Sequence, residues 1–80
     1  MTPATITRTH VVLPDHDIKF PFEAVGSRGG PTGRFIMEVP RFAADGSVAG
    51  ERHVECVGYV GLRKRAEGYA AHAEKLEDWK

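Results

Sequence analysis

Eighty residues, with eleven basic side chains balanced by eleven acidic ones, bound a single small domain. Nucleic-acid binders ordinarily carry a basic excess, because phosphate neutralisation supplies most of their affinity, and DNA mimics carry the reverse. This neutral chain shows neither signature, and its one cysteine, Cys56, excludes the intramolecular disulfides of a stapled secreted mini-protein.

A hydrophobic content of 41% with 28% charged residues is that of a folded domain, so one ordered unit is expected over residues 1–80, with residues 1–4 frayed. The N-terminal "MTPATITRTH" lacks the apolar core of a signal peptide, and no run reaches the roughly 20 apolar residues of a membrane helix. A cytoplasmic protein is the expectation.

In chain order, "TITRTHVVL" (5–13) is rich in β-branched residues and predicts a first strand, although Arg8 and His10 share a parity with Ile6 and Val12. The turn residues of "PDHD" end it. In "DIKFPFEAV" (17–25), Ile18, Phe20, Phe22 and Ala24 fall two apart and share one face of a second strand. Pro21 donates no ladder hydrogen bond, which marks an edge or a bulge. A glycine-rich stretch separates this strand from "RFIMEVPRF" (34–42), where Pro40 again signals an edge or irregularity. Asp45-Gly46 predicts a hairpin, and "VAGERHVECVGYV" (48–60) is the return strand, with Gly50 and Gly58 marking bulges or close backbone approach.

The period then changes. Leu62, Ala66, Tyr69, Ala73 and Leu76 step by four, three, four and three, the stripe of one α-helix lying on the Ile18/Phe20/Phe22 face. The expected fold is therefore α+β: a four-stranded, largely antiparallel sheet with one C-terminal helix packed on one face.

"SRGGPTGR" (27–34) has the glycines of a phosphate-cradling loop, but lacks the Gly-Lys-Ser/Thr ending and leads into a strand rather than a helix. It reads as a hairpin loop that exposes Arg28 and Arg34 to a partner. Arg63-Lys64-Arg65 is a second basic group; at the start of the expected helix it opposes the macrodipole, as Glu74, Glu77 and Asp78 do at the other end. His10, His16, His53 and His72 are scattered, and a strand would point His53 and Cys56 to opposite faces, so neither metal nor cofactor is expected. Glu23, Glu38 and Glu55 fall at outward strand positions, with no spacing that ties two carboxylates together for catalysis. Trp79, in the terminal "EDWK", either pins the helix down or stands with Tyr69 as an interface anchor.

In size and composition, rather than by any motif, the chain is similar in character to the small accessory proteins of phages and other mobile elements, anti-CRISPR inhibitors among them. That resemblance implies a protein that occludes a partner's surface. The expectation is a non-catalytic binding protein that inhibits a larger protein or nucleoprotein through Arg28, Arg34, Arg63, Lys64, Arg65 and Trp79. The alternative is a small nucleic-acid-binding regulator using the same basic groups. A homodimer is compatible with zero net charge.

Overall fold

The computed structural model describes residues 2–26, 30 and 32–80. The chain is α+β, with a five-stranded antiparallel sheet in the order β1-β2-β3-β4-β5. The strands are β1 (Thr5–Ile6), β2 (His10–Leu13), β3 (Ile18–Ala24), β4 (Arg34–Phe42) and β5 (Val48–Val57). Helix α1 (Gly58–Glu67) follows, and then two short 3₁₀ segments at Ala70–Lys75 and Glu77–Trp79.

The extra strand comes from the first expected one, which folds back on itself. Thr7 makes the turn: its N–H donates to the His10 carbonyl at 2.9 Å, and its hydroxyl oxygen accepts from the His10 N–H at 3.0 Å. A threonine that satisfies backbone groups locally competes with a continuing ladder. The turn also resolves the mixed parity, because Thr5 pairs with Val12 and Ile6 with Val11 across it. Ahead of β1, the Thr2 N–H donates to Asp15 at 2.8 Å and the Ala4 N–H to the Glu67 carboxylate at 2.9 Å.

β3 lies in the middle of the sheet, which removes the edge from the two readings of Pro21. It pairs with β2 through Ile18–Pro21 and with β4 only through Phe22–Ala24. Hydrogen-bond alternation explains the change of partner. The Phe22 N–H donates to Thr9 of the β2 side at 3.0 Å, so the odd-numbered residues of β3 turn their backbone groups towards β4. Continuing the β3–β4 register from Phe22↔Met37 would make Pro21–Glu38 and Lys19–Pro40 the next bonded pairs. Each contains a proline without an N–H. The ladder stops there, and β4 runs on paired to β5 alone.

The Asp45-Gly46 turn closes the β4–β5 hairpin. The Gly46 N–H donates to the Ala43 carbonyl at 2.9 Å, and Gly46 takes φ +86°, which side chains disfavour. Asp45 accepts from the Ser47 hydroxyl at 2.6 Å and its N–H at 3.0 Å, and these bonds hold its carboxyl below the usual range.

The return strand is shorter than expected and the helix begins sooner. β5 ends at Val57, and Gly58, at φ +71°, turns the chain into α1 while its N–H donates to the Gly33 carbonyl at 2.7 Å. α1 packs on β1, β2, β4 and β5, burying Leu62 and Ala66 completely. It stops at Glu67, before Gly68, instead of continuing to Leu76. The stretch from Tyr69 to Trp79, which includes both 3₁₀ segments, covers β3: Tyr69 and Trp79 meet the Phe20 ring with centroids 5.5 and 5.6 Å away, and Leu76 is fully buried. The core is thus Val11, Leu13, Ile18, Phe20, Phe35, Met37 and Val39 beneath Leu62, Ala66 and Leu76. Ala24, at the end of the Ile18/Phe20/Phe22 stripe, is exposed.

Leu76→Ala removes a fully buried side chain from a segment with little helical cooperativity of its own. Thermal or denaturant unfolding should show a loss of about 2–5 kcal/mol. Wild-type-like unfolding would place the 3₁₀ segments outside the cooperative core.

Candidate partner-binding surface

The side chains of β4 and β5 alternate between the face covered by α1 and an open face. Phe35, Met37, Val39, Val54 and Cys56 point to the helix, whereas Arg34, Ile36, Glu38, Glu51, His53, Glu55 and Val57 point away. β3 adds Lys19, Pro21 and Glu23 to the open face. That face is therefore acidic: Glu23 and Glu55 flank Ile36 across three strands, and Glu38 lies opposite His53.

Helix α1 carries the opposite sign, with Arg63, Lys64 and Arg65 against Glu67. Because α1 begins at Gly58, Arg63-Lys64-Arg65 does not stand at its N-terminus; Lys64 and Arg65 lie in the last turn, where the macrodipole favours cations by about 0.3–1 kcal/mol each. The opposition to the dipole expected from the sequence disappears. So does its counterpart, since Glu74 lies outside α1 and Glu77 and Asp78 fall in the first turn of the last 3₁₀ segment. Arg52, exposed and of the same parity as Val54 and Cys56, joins this side. Sequence reading passed over Arg52, although its parity with two core residues placed it.

Arg34 stands apart from the triplet. Its side chain is on the open face, 3.9 Å from Glu55, with both groups largely exposed, a contact worth at most about 1 kcal/mol. Arg28 lies outside the described residues. Near Arg34, the β5–α1 junction exposes two large apolar side chains, Val57 at 64% and Val60 at 58%. With Val25, whose N–H donates to the Arg34 carbonyl at 2.9 Å, they form a small apolar rim at one end of the sheet. Val60 and Lys64, four residues apart, share the outer ridge of α1.

Trp79 sits in a different place again. Where β3 and β4 part, an open cleft of about 380 Å³ is bounded by Lys19 and Pro21 on one side and Glu38 and Glu51 on the other, with Trp79 and Lys80 completing it. Trp79 is half-buried, its ring committed to Phe20. The cleft mixes Lys19 and Lys80 with Glu38, Glu51 and Asp78 and concentrates neither sign.

The groups with intrinsic reactivity are separated. Cys56 is buried and His53 exposed on the opposite face, and among the described residues no three His, Cys, Asp or Glu side chains come together in a metal-binding geometry. No helix among the described residues is long and apolar enough to cross a membrane. Compared with protein-family models, curated proteins and solved structures, the chain matches none.

Burial pushes the Cys56 thiol above its usual range, with Arg65 offsetting part of the effect and Glu55 adding to it. Cys56 should therefore react slowly with a thiol reagent in the native state and rapidly in denaturant. Fast native labelling at neutral pH would show that the β5–α1 junction opens.

Proposed function

We propose that this chain is a non-catalytic binding protein that occludes a surface of a larger protein or nucleoprotein, in the manner of a small accessory inhibitor. One observation carries the reading: a neutral chain places an acidic excess on the open sheet face, Glu23, Glu38, Glu51 and Glu55 against Lys19 and Arg34, and a basic excess on α1, Arg63, Lys64 and Arg65 against Glu67. Two fields of opposite sign orient an approaching partner and accelerate its capture without making the protein adhesive to polyanions in general. The contact surface is the ridge of α1, where Val60 supplies apolar area beside Arg63, Lys64 and Arg65. Trp79 and Tyr69 stand apart from that ridge, packed on Phe20 over β3.

The separation of Arg34 from the triplet favours a protein partner over nucleic acid. A phosphate backbone is best tracked by a continuous basic stripe, and Arg34 lies on the acidic face beside Glu55. Cytoplasmic action fits the same reading.

The test is a pair of titrations. Free protein should bind random-sequence DNA or RNA at about 10⁻⁴ M or more weakly at physiological salt. A triple variant, Arg63→Ala with Lys64→Ala and Arg65→Ala, should capture less of the target protein from a lysate of the source cells, chiefly through slower association. Submicromolar nucleic-acid binding that is lost in the same variant would transfer the function to a nucleic-acid regulator.

A further inference from the structure

β5 is the outer strand of the sheet, ten residues long, with nothing paired to its free side among the described residues. The residues that face outward can be assigned. The Val25 N–H donates to Arg34, so the even residues of β4 face β3 and the odd ones face β5; the Gly58–Gly33 bond agrees. Arg52, Val54 and Cys56 are then bonded to Val39, Met37 and Phe35. The free backbone groups belong to Glu51, His53, Glu55 and Val57, all of them exposed. α1 packs on β2 and β1 as well as β5, and Glu51, His53, Glu55 and Val57 stay exposed beside it.

A long unpaired edge is a template for another strand, and natural sheets guard it with charges that punish wrong pairings. Here the charges also select one pairing. We infer that β5 pairs antiparallel with β5 of a second copy, centred on Val54. Across a two-fold axis perpendicular to the sheet each residue must meet one on the same face, so the centre falls on a residue and not between two. Centring on His53 sets Glu51 against the partner's Glu55, centring on Glu55 sets that carboxylate against itself, and centring on Arg52 opposes two guanidinium groups. Centring on Cys56 leaves only Glu55 and Val57 to pair before α1 begins.

Centring on Val54 alone avoids like charges over the whole stretch from Glu51 to Val57. It sets His53 against the partner's Glu55 as a bonded pair, imidazole N–H facing carboxylate, and the two-fold repeats the pair. Glu51 then meets the partner's Val57, covering the most exposed large apolar side chain among the described residues. On the helix side Val54 meets its own mate. All the outward backbone groups from Glu51 to Val57 find partners, and Gly50 at φ +121°, beside the irregularity in the β4–β5 ladder, ends the match.

Sedimentation equilibrium across about 10 µM to 1 mM should show the mass rising from 8.8 kDa towards twice that value. Amide exchange should slow with concentration at Glu51, His53, Glu55 and Val57. Glu55→Lys and His53→Glu, both at exposed positions, should each weaken the dimer about tenfold or more, because each sets like groups opposite one another twice. Combining His53→Glu with Glu55→Lys puts opposite charges back across the pair, with their places exchanged, and should restore the dimer. A chain that stays monomeric throughout, a dimer protected elsewhere, or a double variant no tighter than the singles would overturn the assignment. So would β5 amides that slow only on adding the captured target protein, since the edge would then belong to a foreign strand.

Discussion

Two prolines on facing strands govern the shape of this molecule. Pro21 and Pro40 occupy, in register, the two successive places where β3 and β4 would next exchange hydrogen bonds. Neither can donate, and an unpaired carbonyl buried in a closed ladder would cost about 1–3 kcal/mol. The strands separate instead. One end of β3 stays with β2 and one end of β4 with β5, leaving the cleft between them. The parting leaves the Phe20 side of β3 to be covered by the chain's last segment, which arrives as short 3₁₀ turns that bend to place Tyr69, Leu76 and Trp79 there. A straight α-helix from Leu62 to Leu76 would have carried that stripe in one direction only.

Much of this is legible in the sequence. The period-two runs locate β3, β4 and β5, Asp45-Gly46 locates the tight hairpin, and Leu62, Ala66 and Leu76 are core residues as their spacing predicts. Each proline is a visible signal of irregularity, but the consequence depends on the two falling at successive bonded pairs of one ladder, which only the register supplies. The Thr7 turn is hidden differently. A β-branched run favours a strand residue by residue, and the bond from the His10 N–H to the Thr7 hydroxyl that overrides it is a local contact with no composition signal. Gly58 reads as a bulge yet starts the helix, because a positive φ suits either use. That shift of the boundary inverts the electrostatic reading of Arg63-Lys64-Arg65, moving the triplet from the unfavourable end of a helix towards the favourable one.

The candidate surface is half legible for a related reason. A neutral total conceals a segregated distribution, and segregation follows from parity once strand boundaries are known. Glu23, Glu38, Glu51 and Glu55 all take open-face positions while Arg52 takes the helix-side parity. Charge alone groups Arg34 with the triplet, yet its even number in β4 sends it to the acidic face. Counting charges misplaces it where counting residues along the strand does not.

The edge pairing and the partner surface bear on each other through symmetry. A two-fold axis perpendicular to the sheet keeps every residue on its own face, so joining two copies through β5 makes one continuous sheet with both α1 helices on the same side. The basic ridge and its exposed Val60 would then be presented twice, in a fixed orientation, on a single surface. Against a target with matching repeated sites, the second contact forms at a high effective concentration, and apparent affinity can exceed that of one copy by about 10²–10⁴-fold. A standard interface takes about 800 Å² from each partner, a modest part of the 5155 Å² that one copy exposes. Doubling the chain through unpaired backbone groups enlarges the contact without using core residues, and leaves the acidic faces together on the far side, where they repel further polyanions.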